Sequence, residues 1–333
     1  MKKLIAVLGV LLCGIAAVSY VGLRDTGDET SSQGSRVVRQ IDVGAGLLTI
    51  PNTAAAWVQA HPNDPIADAV SECIASQPQA YWLVGNAGDE ALPVGVDLAR
   101  EQDRTLQLVL YNIALRDDGI NGKQGAEDLA AYQEWIDWVS TELGDARAIV
   151  VVEPDALWFV DRQTPSGAKR QERMAALNYA IDTLAARNPN VRTYLEAGTT
   201  SESVTPERMA ELLIEAGASD RTGFAVNVSS FAPEPNITDY AREVRGHLID
   251  QHGLNDPRWV VDTSRNGNAE WDFTWCNPAD REIGVEPGPV GSADGRDANL
   301  WIKGPATSDG DCGIGRGTVG GDFLAEDAAR QLR

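Results

Sequence analysis

Residues 148–158 read AIVVVEPDALW. An unbroken apolar run, β-branched from Ile149 to Val152, is the pattern of a strand buried on both faces, as in the parallel sheets of α/β proteins. The run stops on Glu153, Pro154 and Asp155, placing two carboxylates where a buried strand has no use for acid. Their purpose depends on what else gathers at that end.

Six further runs share the pattern: YWLVG (81–85), TLQLVLYNI (105–113), VRTYLEAG (191–198), TGFAVNVSS (222–230), RWVVDTSRNG (258–267) and ANLWIKG (298–304). Amphipathic stretches lie between them, such as 125–143 and 168–187, with apolar residues at three- and four-residue intervals. Seven strands alternating with helices predict a parallel sheet, and the length suits a closed barrel better than an open doubly wound sheet. The expected fold is therefore α/β, a distorted seven-stranded parallel β/α barrel of TIM-like type, in a single domain over residues 37–333. No glycine-rich turn follows the first strand, which weighs against a nucleotide-binding fold.

The chain of 333 residues is 43% hydrophobic and carries 28 basic against 49 acidic residues, a net charge of −21. Such a surface repels phosphate backbones and anionic membranes, so nucleic acid is excluded as a partner and neutral or cationic substrates remain. Residues 1–23 place two lysines before an apolar run, which reads as an export signal or as an uncleaved membrane anchor. The polar, Gly/Ser-rich stretch 24–36 reads as a flexible tether. Export gives the cysteines a meaning. Cys73, Cys276 and Cys312 remain after signal removal, enough for one disulfide and one odd thiol, with the pairing open.

In a β/α barrel the chemistry sits at the C-terminal ends of the strands. The polar residues expected there are Trp82, Tyr111 with Arg116, Asp117 and Asp118, Glu153 with Asp155, Glu196, Asn227, Asp262 with Arg265 and Asn266, and Lys303 with Asp309. The three histidines, His61, His247 and His252, fall outside these ends, which removes the usual base and metal ligand together. Lys303 and Arg265 would crowd a cation, and no G-x-S-x-G turn supports a serine nucleophile. Carboxylate acid/base work remains, and the reaction class that runs on two carboxyl groups alone is glycoside hydrolysis. No metal or organic cofactor is implied. Trp82, Trp301 and Trp275 are placed where sugar rings would stack, whereas Trp135, Trp138 and Trp158 read as core.

The stretches YNIALRDDG (111–119), VVVEPDALW (150–158), VVDTSRNGN (260–268), WCNP (275–278) and LWIKGPATSDG (300–310) together resemble glycoside hydrolase family 6, the inverting β-1,4-glucanases, in their bacterial endoglucanase branch. The resemblance implies Asp155 as general acid, Asp117 as the aspartate that keeps it protonated, and Asp309 as a third aspartate, with the base role divided between Asp117 and Asp309. It also implies Tyr111, Trp82, Trp275 and Lys303 as substrate contacts, to which the strand-end set adds Asn227, Arg116 and Arg265. Acid and base on different strands suit the separation of about 6.5–9.5 Å that admits a water in inverting enzymes. Glu153 is expected to anchor its strand end. The resemblance further pairs Cys276 with Cys312, and Cys73, in the helical stretch SECIASQPQ, is expected as a buried free thiol.

Departures from the family pattern surround this set. Asp118 stands where a cysteine is familiar, Glu196 for aspartate, Thr199 for histidine, Glu202 for a stacking tryptophan and Thr307 for a glutamate. The expected protein is a secreted, monomeric endo-β-1,4-glucanase with a β-glucan partner. The alternatives are a glycan-binding protein with altered catalysis, a glycosidase for another β-glycan, and a cell-surface module held by its N-terminal helix.

Overall fold

The computed structural model describes residues 41–114, 116, 124–162, 167–200 and 203–333. Asp117, Asp118, Glu202 and the N-terminal segments 1–23 and 24–36 lie outside the described residues. Among the described residues, no helix is long and apolar enough to cross a membrane.

Helices α1 (Thr53–Ala60) and α2 (Ala67–Val70) lead into the sheet. The parallel strands are β1 (Tyr81–Leu83), β2 (Leu106–Leu110), β3 (Ala148–Val152), β4 (Val191–Glu196), β5 (Thr222–Val226), β6 (Trp259–Asp262) and β8 (Arg296–Leu300). The helices between them are α3 (Leu92–Glu101), α4 (Leu129–Leu143), α5 (Ala156–Arg162), α6 (Ala168–Arg187), α7 (Pro206–Glu215) and α8 (Glu234–Asp250), and α9 (Ala325–Gln331) closes the chain. All seven runs expected as strands form strands. The sheet has eight, however, because β7 (Gly288–Pro289) pairs antiparallel with β8 at the edge. A two-residue strand containing proline has no periodicity to read. The run 81–85 also ends early: the N–H groups of Val84 and Gly85 donate to Asp89 at 2.9 Å each, which turns the chain out of the ladder.

Side chains alternate across each strand and feed two cores. Leu106, Leu108, Leu110, Val150, Val152 and Phe224 face outward against helical residues such as Tyr132, Ile136, Leu177 and Ile181. Val109, Ile149, Val151, Tyr194, Ala225, Val260 and Leu300 meet inside the curled sheet. Both faces of β2, β3 and β5 are therefore buried, which is why β3 is an unbroken apolar run and β2 and β5 are apolar apart from the buried Gln107 and Thr222. The outer strands approach each other: Ala80 N donates to Trp301 O at 2.9 Å, and Trp82 Nε1 donates to Ile302 O at 2.8 Å. Asp128 caps α4 by accepting from Ala131 N, which sets its start. Trp135, Trp138 and Trp158 pack against the outer core, as expected.

Two expectations are corrected. Cys73 lies half-buried in the helical turn Ser71–Ala75, whose inward position is taken by Ile74, and it is disulfide-bonded. Trp301 is 1% exposed and donates from Nε1 to Val285 O at 3.0 Å, so its ring is core and not a sugar platform.

Candidate active site

The strand ends hold two groups of carboxylates. The first lies beyond β3 and β4. Glu153 and Asp155 have φ of 48° and 70°, in the left-handed region that side-chain-bearing residues rarely enter. Each is held there by hydrogen bonds. The Glu153 carboxylate accepts Asn112 N and Ile113 N, both at 3.0 Å, stitching the end of β3 to that of β2. Asp155 N donates to Glu196 Oε2 at 3.0 Å, and Gly198 N donates to Glu196 Oε1.

This leaves Asp155 as the exposed carboxylate of the group, at the start of α5, with Tyr111 Oη 3.5 Å from its Oδ2. Glu153 and Glu196 are buried beneath it. Burial pushes Glu153 up to about 7. Burial first, and the Asp155 charge second, push Glu196 up to about 8. The ring of Tyr111 meets Trp82 edge to face, with centroids 5.4 Å apart, and carries the Arg116 guanidinium 4.7 Å from its centroid. Arg116 also donates to Gln124 Oε1, Val84 O and Tyr111 O, so it braces the loop after β2.

The second group lies beyond β6 and β8. Asp262 accepts Ser229 N at 3.0 Å, Ser264 N and Lys303 N at 3.1 Å each, and Ser264 Oγ at 2.6 Å, which ties the two strand ends together. Asp309 is nearly buried among cations: Arg265 Nη1 lies at 2.9 Å, Lys303 Nζ is in contact and Arg281 Nη1 is at 3.8 Å. Despite desolvation, Arg265 and Lys303 hold its carboxyl well below the usual carboxylate range. Burial and the neighbouring Arg265 in turn bring Lys303 down to about 8.

A reciprocal pair fixes the Asp309 loop: Asn277 N donates to Asp309 Oδ2 at 2.9 Å, and Asp309 N donates to Asn277 Oδ1 at 2.8 Å. Asn277 Nδ2 further reaches Gly310 O and Cys312 O, beside the Cys276–Cys312 disulfide. A Cβ on Gly315 would lie 2.3 Å from Asn277 Nδ2, so glycine is required there.

The structure therefore sorts the expected residues. Asp155, Tyr111, Trp82 and Arg116 gather at the first group, and Lys303 and Asp309 at the second. Trp275 is 72% exposed beside the disulfide. Arg265 and Asn227, expected as substrate contacts, are buried behind the site. Arg265 spends its Nη donors on Asp309, Thr307 O and Ser229 O, and stacks 4.3 Å from the Phe231 centroid. Asn227 donates to Asp262 O and accepts Ala232 N and Thr199 Oγ1. Both are long or polar enough to reach a cleft, and sequence carries no sign of which way they turn. Arg281 and the locking role of Asn277 were missed. Asn277 lies within the quoted WCNP motif, which is the one signal that pointed to it.

An exposed carboxyl backed by a buried one, aromatic edges beside it and a separate carboxylate clamped by cations define a carboxylate-dependent hydrolase of saccharide chains. Comparison with known proteins gives the particular family. The model of "Glycosyl hydrolases family 6" matches residues 49–320. The chain is similar to Endoglucanase 1 of Streptomyces halstedii, 35% identical over 86% of this chain and 88% of that protein. It is similar also to Endoglucanase 1 of a Streptomyces species (strain KSM-9), 36% identical over 77% and 70%. Among solved structures it is similar to an endoglucanase of Mycobacterium tuberculosis in complex with methyl-cellobiosyl-4-deoxy-4-thio-β-D-cellobioside, with a TM-score of 0.73 and 32% identity over 86% of this chain and 95% of that one. The chain belongs to glycosyl hydrolases family 6 and is a glycoside hydrolase of the cellulase type.

Proposed function

We propose that this chain is an exported, monomeric endo-β-1,4-glucanase that cleaves soluble or amorphous β-glucan with inversion, its curled sheet serving as the distorted barrel expected from sequence. Asp155 is the general acid, protonating the glycosidic oxygen as the bond breaks. The observation that carries this reading is its position: it is the exposed carboxylate beyond β3 and β4, with its backbone N–H on the buried Glu196 and the Tyr111 hydroxyl beside it.

Water activation falls to Asp117. A base must have proton affinity to spare, and Asp309 is clamped by Arg265 and Lys303. Asp309 instead orients Lys303, which donates to the sugar on the other side of the scissile bond. Tyr111 lies under the ring being cleaved, and Trp82 and Trp275 supply stacking faces. The Thr199 hydroxyl is spent on Asn227, and Thr307 is buried with its carbonyl turned to Arg265 and Arg281. These inward contacts favour a second reading, a related β-glycan in place of plain cellulose chains.

The test is reducing-end release from carboxymethylcellulose and barley β-glucan by the protein and by Asp155→Asn. Release that vanishes in the variant is the expected result. No release from either substrate by the folded parent, with hydrolysis of another β-glycan, moves the substrate to that glycan.

A further inference from the structure

The loop between β6 and β7 carries aromatic residues that the cleavage chemistry does not use. Phe273 is 60% exposed and has φ of 65°. For a bulky residue this is a strained conformation, and strain of this kind collects at ligand sites. An aromatic ring forced outward gains nothing for folding.

Trp271 supports it. Its Nε1 donates to Thr274 O at 2.9 Å, its ring lies 5.0 Å from that of Phe273, and on its other side it meets Phe231 at 6.5 Å. Arg265 stacks on Phe231, so the aromatic wall is built onto the same side chain that clamps Asp309.

In front of this wall is an open pocket of about 380 Å3, lined by Thr200, Pro233, Asn236, Glu270, Trp271 and Phe273 among others. Its volume is in the range of small-molecule sites, typically about 300–1,000 Å3. The far wall leads back to the acid: Thr200 follows Gly198, whose N–H is on Glu196, and Glu196 holds the Asp155 N–H. The lining joins flat apolar faces to an amide, a hydroxyl and a carboxylate, with no Lys or Arg among the described residues. That chemistry suits the apolar face and hydroxyl edge of a neutral sugar and disfavours anionic ones.

We propose that this pocket is a subsite for a neutral glucosyl residue of the bound chain, with Trp271 and Phe273 as its stacking faces and Glu270 and Asn236 bonding its hydroxyls. The inference rests on the proposed glucanase reading.

Calorimetric titration with cellohexaose tests it, using the full chain as Asp155→Asn so that ligand survives, alone and with Phe273→Ala, Phe273→Tyr or Trp271→Ala. Affinity is expected to weaken about five- to tenfold for each alanine and to be kept by Phe273→Tyr. Melting curves guard against unfolding, and Phe273→Gly, which relieves the left-handed strain, is expected to melt no lower than the parent. Glucan hydrolysis by the wild type with unchanged cellohexaose affinity in both alanine variants overturns the pocket alone. Cellohexaose binding that the alanines weaken, in a wild type that cuts no glucan, supports the pocket and overturns the glucanase reading. Absence of both hydrolysis and binding overturns both.

Discussion

The ends of β3 and β4 and the ends of β6 and β8 use the same functional group under opposite electrostatics. Beyond β3 and β4, Glu153 and Glu196 are buried with backbone N–H partners, and burial raises both, to about 7 and about 8. Beyond β8, Asp309 is equally enclosed but faces Arg265, Lys303 and Arg281, and is driven the other way. Desolvation acts on all three carboxyls, so partner charge decides the sign. One side of the cleft is built to keep protons, and the other to keep a negative charge fixed. The proposed acid, Asp155, stands on the first side.

The largest expected effect follows from that placement. Asp155→Asn keeps the shape and the backbone bond to Glu196 but removes the transferable proton, so glucan hydrolysis should fall by about 10²–10⁴-fold with the melting temperature little changed. Reducing-sugar release together with a thermal melt checks both parts. Activity within tenfold of wild type would remove the acid from this side.

Next comes the same carboxyl-to-amide swap made on each side. Asp309→Asn leaves Arg265 and Lys303 without their carboxylate, while Arg281 keeps its pair with Asp327, and should cost about 3–5 kcal/mol, a fall in melting temperature of roughly 4–7 °C. Glu196→Gln at pH 8 gives up one backbone acceptor but removes a buried charge that no cation offsets, so its cost should be about 1 kcal/mol or less. Equal losses from the two swaps would abolish the contrast between the regions.

The contrast also fixes a pH dependence. Glu153 is raised in the fold from 4.5 to about 7. A raised folded value contributes stability that is fully present below the unfolded value and is lost as pH climbs through the folded one. The contribution is on the order of 3 kcal/mol, present below pH 4.5 and gone above about 7. Glu196 adds a loss of the same sign extending to about pH 8. Melting temperature should therefore decline from pH 4.5 to 8, and Glu153→Gln should flatten the lower part of that decline. An unchanged slope in the variant would mean that Glu153 is not the group titrating.

How much of this could be read in advance differed between the regions. The parallel strands were legible where burial on both faces writes itself as continuous Val and Ile, and the carboxylates Glu153 and Asp155 were legible where that run stopped, the choice of Asp155 as acid resting on the family resemblance. β7 was not, since two residues carry no period. At the second group, the sequence placed Arg265, Asn227 and Lys303 at strand ends but could not say which way they point. Lys303 contacts Asp309, whereas Arg265 and Asn227 turn into the scaffold. Direction was set by long-range partners such as Arg281 and Asn277, which come from the loop between β6 and β7. Trp301 misled for the same reason: its carbonyl partner, Val285, also lies on that loop.

The smallest effect concerns the seam between the two regions. Trp82 stands at β1, on the acid side, yet its Nε1 donates to Ile302 O just beyond β8, next to Lys303, while its ring edge packs on Tyr111. It thus binds one region to the other, besides being a proposed stacking face. Trp82→Phe keeps most of the ring and loses the bond to Ile302, a cost of about 1 kcal/mol or some 1–2 °C in melting temperature. Trp82→Ala loses the stacking face too, so KM for soluble glucan should rise by about five- to tenfold, and by less in Trp82→Phe. If the two variants shift KM alike, the hydrogen bond across the seam is what positions the substrate, and the two regions are coupled mechanically through Trp82. If only the alanine variant shifts it, each side keeps its own geometry and Trp82 acts as a platform alone.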